Sequence, residues 1–321
     1  MSSFKAIKLT AQVPSALVGQ RVDQVAASLF SEFSRSRLQL WIREGTLQVN
    51  DRPCIAKQKL LGGETLSVDA TLRVEGEWSA EPIPLAIVYE DAEILVLNKS
   101  ADLVVHPAAG NTSGTLLNAL LHHCPHLATL PRAGIVHRLD KDTTGLMVVA
   151  KTLQAHHSLV GQLQERTLGR HYAAVVWGVM TGGGEVNAPI GRHPQARVKM
   201  AVVPRGGRKA ITHYRVVRRF NHYTQVRIKL ETGRTHQIRV HMAHIGYPIA
   251  GDSVYGGRVR IPKGATEELI ATLRDFKRQA LHAVELTLEH PATGQMMSWS
   301  TPLPPDMQRL LDVLEKTDDA A

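Results

Sequence analysis

Cysteine is scarce in this chain, and its scarcity excludes a fold built on disulfides. The sequence of 321 residues contains 2 cysteines, Cys54 and Cys124, which fall in what we predict to be different domains. Disulfide-stabilised secreted domains carry several paired cysteines, so both residues are predicted to be reduced thiols.

Long apolar runs are also missing. No uninterrupted hydrophobic stretch is long enough to span a bilayer, and the N-terminal residues lack the apolar core and cleavage site of a secretory signal. The sequence therefore predicts a cytoplasmic protein without a membrane segment. Internal repeats and low-complexity segments are absent too, and 43% hydrophobic residues in a chain of this length favour two packed domains.

Positive charge, in contrast, is in excess. The sequence has 38 lysines and arginines against 29 aspartates and glutamates, a formal net charge of +9. Such a balance favours a polyanionic partner such as a nucleic acid, although proteins without one carry similar excesses for solubility. Composition alone leaves both interpretations open.

The most informative segment is 137–146, with the sequence HRLDKDTTGL. It places Asp140 between Arg138 and Lys141, and an apolar run, 146–150, follows directly. The two cations are expected to keep the carboxylate ionised and nucleophilic, and the Thr-Thr-Gly turn lets backbone approach a ligand closely. The alternative is a surface loop whose charges pair only with one another.

Residues 18–75 are predicted to form a first domain after an N-terminal tail, residues 1–17. Apolar residues at helical spacing predict a helix over 21–30. Ser34 and Gly45 are typical caps at the two ends of a second helix, and short strands follow.

A linker over residues 76–85 precedes a larger domain over residues 86–305, and a C-terminal helix and tail occupy residues 306–321. Strands are predicted near 87–89, 94–97, 172–176, 214–217, 224–230 and 284–288, and helices over 114–123, 153–166, 235–245, 267–276 and 305–315. Strands outnumber helices and often follow one another, so the sequence predicts an α+β fold with a mainly antiparallel, mixed sheet.

Four short segments of the first domain resemble the S4 domain of ribosome-associated RNA-binding proteins; they are 21–23, 34–37, 42–45 and 47–50. The resemblance implies that Arg35, Arg37 and Arg43 contact RNA phosphates, which positions RNA without reading its sequence. The alternative for these arginines is a solvated helix face.

Six separated segments of the second domain resemble the RluA family of pseudouridine synthases. They are 98–99, 104–107, 137–146, 170–172, 233–241 and 279–283, and they occur in the family's order. The resemblance implies a pseudouridine synthase fold and an isomerase that acts on RNA and needs no metal, nucleotide or redox cofactor.

By this resemblance, Asp140 is the catalytic aspartate that attacks the target uridine, so that the base detaches, rotates and reattaches through carbon. Tyr172 corresponds to the tyrosine that stacks on the flipped base, although the sequence equally allows a core tyrosine. Arg138 corresponds to the arginine that helps to extrude the nucleotide, and Arg239 to the basic residue that pairs with the catalytic carboxylate.

Neighbours of Arg239 receive expected roles from the same segment. Thr235 is expected to cap the helix that carries Arg239, which would put the arginine in the second turn. Arg234 would stand outside the helix as an RNA contact, and Ile238 would form an apolar surface beside the base.

No metal site is predicted. The segment 122–126, HHCPH, holds zinc-capable side chains but lacks the paired spacing of a structural site. His236, His241 and His244 lack the spacing of a metalloprotease, and Lys141 disfavours Mg²⁺ between Asp140 and Asp142.

The resemblance implies 23S ribosomal RNA or a large-subunit precursor as the partner, with the helix 69 stem-loop as the expected target. No protein partner is predicted; a monomer is compatible with the sequence, which does not fix the oligomeric state. Loops suit the chemistry because unstacked bases are easier to flip. Two alternatives remain: a non-catalytic assembly factor that tolerates Asp140→Ala, and a hydrolase, for which no water-activating base can be assigned.

Overall fold

The structure, a computed structural model, describes residues 4–31, 33, 35–73, 78–108, 111–196 and 199–319. The chain divides into two compact units, residues 1–77 and residues 78–321. Within the described ranges, the search for a helix long and apolar enough to cross a membrane finds none.

The first unit combines two helices with a four-stranded antiparallel sheet of order β1-β4-β2-β3. Its elements are β1 Phe4–Gln12, α1 Val22–Leu29, α2 Arg35–Glu44, β2 Leu47–Val49, β3 Arg52–Pro53 and β4 Thr65–Arg73. Both helix predictions are confirmed: Val25 of α1 and Leu38 and Trp41 of α2 are buried, and Gly45 follows α2 at a positive φ of 75°. The predicted cap, Ser34, lies outside the described residues.

The prediction of an N-terminal tail is wrong for residues 4–12. These residues form β1, which pairs along its whole length with β4. Ile7, Leu9 and Ala11 point toward the core of the unit, and the intervening Lys8 and Thr10 are exposed. This alternation with a period of two is typical of a strand. The backbone of β1 also forms hydrogen bonds with the edge of β4.

The second unit contains a nine-stranded sheet of order β5-β6-β7-β14-β8-β13-β12-β9, with β15 paired to β14. The strands are β5 Ile87–Glu90, β6 Ile94–Lys99, β7 Thr144–Ala150, β8 Gly169–Trp177, β9 Gly184–Asn187, β10 Ile190–Arg192, β11 Met200–Val202, β12 Ile211–Arg219, β13 Tyr223–Leu230, β14 Leu281–Glu289 and β15 Met296–Ser300. Strands β10 and β11 form a separate antiparallel pair. Only β7 and β14 run parallel among the described neighbours of the large sheet, which confirms the α+β prediction.

Five helices accompany this sheet: α3 Leu116–His123, α4 Leu153–Glu165, α5 Gln237–His244, α6 Glu267–Asp275 and α7 Pro305–Asp319. All five were predicted, and their observed ends lie within two residues of the predicted ones, except the C-terminal end of α7. Helix α7 continues to Asp319, where a tail was expected from residue 316 onward. Helix α5 begins at Gln237, and its cap residue is His236 at φ 56°, not Thr235. The side chain of Gln237 closes this turn because it accepts the N–H of Arg234.

Strand β7 lies in the middle of the sheet and is buried on both faces. Met147 and Val149 belong to one apolar cluster with α3, α5 and α7, while Val148 and Ala150 belong to a second cluster with α4. A strand covered on both faces needs a continuous apolar run, which explains 146–150. The loop before β7 is therefore attached to a strand that is packed on both faces.

Gly145 makes the parallel contact between β7 and β14 possible. It has a φ of +114°, and a Cβ at this position would lie 2.3 Å from the carbonyl oxygen of Ala283. Only glycine fits this close approach. The position fixes the start of β7, and with it the loop that carries Asp140.

Candidate active site

Asp140 lies in a turn that closes just before β7. Its carbonyl accepts the N–H of Thr143 at 3.1 Å, and its side chain keeps 14% exposure. The adjacent His137 accepts the N–H of Val148 at Nε2, and burial lowers the pKa of His137 to about 3. The neutral His137 thus attaches the loop to β7 by a hydrogen bond. The Asp140 carboxylate remains partly exposed beside this buried strand.

Three side chains hold the backbone of this loop from outside. Lys99 is buried and donates to the carbonyl of Lys141 at 2.7 Å, while Arg278 and Gln279 donate to Asp142 O and Thr143 Oγ1. Burial lowers the pKa of Lys99 to about 8, against the opposing charges of Asp142 and Asp140.

Arg239 contacts the Asp140 carboxylate directly. Its Nη1 donates to Asp140 Oδ2 at 3.0 Å, and the arginine lies in the first turn of α5, not in the second turn as expected. Burial opposes the charged form, but hydrogen bonds to Asp252 and Asp140 outweigh it and raise the pKa of Arg239. A fixed positive charge therefore lies next to the carboxylate.

Asp252 anchors the opposite side of the same guanidinium. Arg239 Nε and Nη2 donate to its two oxygens at 2.7 and 2.9 Å. Asp252 Oδ1 also accepts the N–H groups of Val254 and Tyr255. This carboxylate was missed from the sequence, because nothing in its local pattern indicates a partner 13 residues earlier.

His236 and Tyr255 complete the surroundings of Asp140. His236 Nε2 lies 3.8 Å from Asp140 Oδ1, and His236 Nδ1 shares a 2.7 Å hydrogen bond with the Tyr255 hydroxyl. Tyr255 Oη accepts the N–H of Met200, and its ring faces the Arg239 guanidinium at 5.0 Å. Burial lowers the pKa of His236, although Asp140 opposes the shift.

The flanking cations Arg138 and Lys141 were expected to act on Asp140, but neither forms a hydrogen bond or ion pair with its carboxylate among the described residues. Lys141 pairs with Asp102 at 2.8 Å. Arg138 is exposed and has neither a hydrogen bond nor an ion pair with any residue that the structure describes. Neighbouring side chains of a turn diverge, so the charge that contacts Asp140 comes from a distant helix.

Tyr172 and Ile238 lie on buried elements of the same unit. Tyr172 is on β8 and keeps 4% exposure, as does Ile238 on α5, and both belong to the main apolar cluster. Burial raises the pKa of Tyr172, and the charge of Asp140 adds to the shift. A protonated phenol on an apolar background suits contact with a base.

The remaining arginines with expected RNA-binding roles differ in exposure and in their contacts with other protein groups. Arg234 stands outside α5 and donates to Lys209 O at 3.0 Å. In the first unit, Arg35 donates to Asp23 at 2.7 Å, and although burial opposes ionisation, this contact helps to lower the pKa of that buried carboxyl. Arg43 is exposed and Arg37 is half-buried. Arg35 is thus partly occupied by a structural contact.

One group of side chains has the composition of a metal site. Ligand atoms of Glu90, His123 and Cys124 lie within 4.8 Å of one another. Lys151 Nζ, however, donates to Glu90 Oε1 at 2.7 Å, and His123 Nε2 contacts the other oxygen. The carboxylate is already neutralised, so the group is an ion-pair network of the protein itself.

The fold and the Asp140 site define the class of protein. The family of RNA pseudouridylate synthases matches residues 93–244, a range that contains Asp140, Tyr172 and Arg239. The chain belongs to this family, because relatives that are named pseudouridine synthases match it over nearly its full length at more than half identity. The predicted family is confirmed.

Particular relatives are known by name. The chain is 58% identical to ribosomal large subunit pseudouridine synthase D of Pseudomonas aeruginosa, over 98% of both chains. It is 56% identical to the protein of that name from Haemophilus influenzae, over 96% of this chain and 95% of the relative.

Solved structures agree with the fold. Human RNA pseudouridylate synthase domain containing 4 is 26% identical with a TM-score of 0.56, over 72% of this chain and 93% of that one. Human RNA pseudouridylate synthase domain containing 1 is 25% identical with a TM-score of 0.54, over 75% of this chain and 97% of that one. The predicted pseudouridine synthase fold is confirmed.

Proposed function

We propose that this protein converts uridine to pseudouridine in RNA of the large ribosomal subunit, with Asp140 as the nucleophile and without a cofactor. The observation that carries the proposal is the contact of Arg239 with Asp140 at 3.0 Å. The names of the relatives, ribosomal large subunit pseudouridine synthase D, support the substrate.

The chemistry needs one carboxylate and no external reagent. Asp140 bonds either to the anomeric carbon of the ribose or to the uracil ring, and both routes break the N1–C1′ bond. The base rotates, C5 bonds to C1′, and the Asp140 bond breaks again. C5 loses a proton and N1 gains one, so substrate and product are isomers.

Arg239 serves this step by orienting the Asp140 carboxylate through a hydrogen bond from a fixed guanidinium. Because Asp252 holds the other side of the guanidinium at 2.7 Å, the arginine stays in place when Asp140 moves toward the substrate. The remaining carboxylate oxygen, Oδ1, is the one available for attack.

The target base must leave its stack to reach Asp140. Tyr172 and Ile238 provide the aromatic and apolar surface for the flipped uracil, and a base on an aromatic ring is stabilised by about 1–3 kcal/mol. The exposed Arg138, with no partner among the described residues, is suited to fill the vacated position in the RNA. Arg234 is placed to contact phosphate.

The first unit is proposed to act as an S4-like RNA-binding domain, with Arg37 and Arg43 and the exposed part of Arg35 on phosphates. We further propose the helix 69 stem-loop of 23S ribosomal RNA as the target. The enzyme would act in the cytoplasm as a monomer.

The decisive experiment measures pseudouridine formation on large-subunit ribosomal RNA by purified protein without added cofactor. Asp140→Asn is expected to abolish turnover and retain RNA binding. Asp102→Asn is the matched control, since this exposed carboxylate forms its one ion pair within the described ranges with Lys141. Undiminished activity of Asp140→Asn would remove Asp140 as nucleophile.

The target is tested separately in cells. Ribosomal RNA from cells lacking this protein is mapped for pseudouridine, and loss is expected in helix 69. Unchanged modification of helix 69, with loss elsewhere in the large subunit, would replace the target and retain the activity.

A further inference from the structure

A cavity of about 200 Å³ lies beside the Asp140 site and belongs to none of the roles assigned above. The segment 248–260, helix α6 and the end of β8 surround it. Its buried wall is apolar and aromatic, with Tyr223, Phe276 and Leu310. Trp177 is half-buried at the same wall and meets Tyr223 edge-on at 5.1 Å.

The rim of this cavity is strongly basic. Arg258, Arg260, Arg274 and Lys277 line it and are exposed, and Asp252 is the only carboxylate among the lining residues. Asp252 is already bound by Arg239. The side chains of Arg258, Arg274 and Lys277 have no hydrogen bond or ion pair within the part of the chain that the structure describes. Four cations with no carboxylate to neutralise them fit a polyanion.

Aromatic and cationic groups act together at the mouth of the cavity. The Arg260 guanidinium lies 5.7 Å from the centre of the Trp177 ring, and the Tyr223 hydroxyl donates to Arg260 O at 3.1 Å. An aromatic wall below a row of cations is the combination with which proteins hold a base and its phosphate. The volume is below the roughly 300–1,000 Å³ of drug-sized pockets, which suits a single base.

The cavity is physically linked to the catalytic loop. Trp177 N–H donates to Pro248 O, and Ala250 N–H donates to Val175 O, so the segment 248–252 is bound to β8, the strand of Tyr172. Asp252 lines the cavity and holds Arg239. An occupant of the cavity is thus separated from the Asp140–Arg239 pair by one side chain.

We infer that this cavity binds a second, unmodified nucleotide of the same RNA, with its base against Trp177 and its phosphates on Arg258 and Arg274. This inference rests on the proposed function, which supplies RNA as the substrate. The nucleotide anchors the RNA while the target uridine occupies the Asp140 site.

The test compares two double variants with equal loss of charge. Arg258→Ala with Arg274→Ala removes two cations of the rim, and Arg215→Ala with Lys229→Ala removes two exposed cations of β12 and β13 that do not line the cavity. Binding of a labelled stem-loop from large-subunit ribosomal RNA is measured by fluorescence anisotropy across salt concentrations. The rim variant is expected to lower the slope of log K against log salt by about 1.4–1.8, the share of two phosphates. The control is expected to keep the slope.

The aromatic wall has its own test. Trp177→Ala is expected to weaken stem-loop binding by about 5- to 150-fold, and Trp177→Phe is expected to retain most of it. Thermal melting checks that the variants are folded. The single-turnover rate at saturating RNA should stay within about twofold of wild type for the Arg215→Ala, Lys229→Ala control, because neither residue lines the cavity.

Equal slopes and affinities for the rim and control variants would overturn the inference, as would competition by polyglutamate as strong as competition by RNA, which would indicate a protein partner. If wild-type protein forms no pseudouridine but the rim variant still loses affinity, the proposed function fails and the nucleotide site stands. If turnover is normal and the rim variant binds like wild type, the proposed function stands and the nucleotide site is refuted.

Discussion

Arg239 Nη1 lies 3.0 Å from Asp140 Oδ2, although 99 residues separate the two in the sequence. The rest of the guanidinium is bound by Asp252, so Arg239 is held in place and contacts the proposed nucleophile, Asp140, through one carboxylate oxygen. The other oxygen, 3.8 Å from His236 Nε2, is free to react. The carboxylate proposed to be catalytic is thus oriented by Arg239 in the protein itself.

Asp252→Asn tests this orientation. Removing the negative charge of Asp252 weakens its hydrogen bonds with Arg239. This loss is expected to lower kcat by about 10- to 100-fold, since a hydrogen bond to a charged group contributes about 1.5–3 kcal/mol. KM should change little, because Asp252 is buried and both of its carboxylate oxygens are already bound by Arg239. Steady-state kinetics on stem-loop RNA measures both, with the exposed Asp275→Asn as control. A raised KM at normal kcat would assign Asp252 to RNA binding instead.

Arg138→Ala tests the exposed arginine of the loop. Because Arg138 supports no contact within the described structure, unfolding in urea should be unchanged within about 0.5 kcal/mol. The slope of RNA affinity against salt should fall by about one phosphate contact. Arg215→Ala is the control. A destabilised Arg138→Ala protein would show that the arginine has a structural partner.

Gly145→Ala tests the parallel contact of β7 and β14. The new Cβ would lie 2.3 Å from Ala283 O at a φ of +114°, so overpacking and backbone strain together should cost about 2–6 kcal/mol. Gly161→Ala, in α4, meets nothing within 4 Å and should stabilise the protein by up to about 1 kcal/mol. Urea unfolding followed by circular dichroism compares them, and equal stability of the two variants would contradict the argument.

His282→Gln tests a pH dependence. Burial lowers the pKa of His282 to about 4, so between about pH 6.5 and 4 the unfolded chain binds a proton that the folded protein does not. Wild-type stability should therefore fall as pH drops through this window, by about 1.4 kcal/mol per pH unit for this group. Glutamine removes the titration, so the fall should be shallower in the variant. Urea titrations at several pH values measure the free energy of unfolding of both proteins. The same dependence of this free energy on pH in wild type and variant would refute the prediction.

Local patterns predicted the elements well. The apolar run 146–150 lies in β7, which is buried on both faces, and Gly45 marked the C-terminal end of α2. Strand β1 was missed although Ile7, Leu9 and Ala11 alternate, because an edge strand with one solvated face gives a weak signal.

Contacts between distant segments could not be predicted in the same way. Asp252, His236 and Tyr255 are brought to Asp140 only by the sheet and by the left-handed turn at His236. Adjacent charges misled the prediction for Lys141, because neighbours in sequence do not share a direction in a turn. Arg239 was expected to pair with Asp140 only from the family resemblance.

The supports of the catalytic loop also set when the enzyme becomes complete during its synthesis. Asp142 and Thr143 are held by Arg278 and Gln279, each 136 positions later, and Arg278 is itself held by Asp306. At about 5–20 residues per second, the ribosome needs roughly 7–27 s to add those 136 positions after the loop. A growing chain thus contains Asp140 well before the residues that hold its loop have been made. On this argument, the loop can reach its supported conformation only near the end of translation.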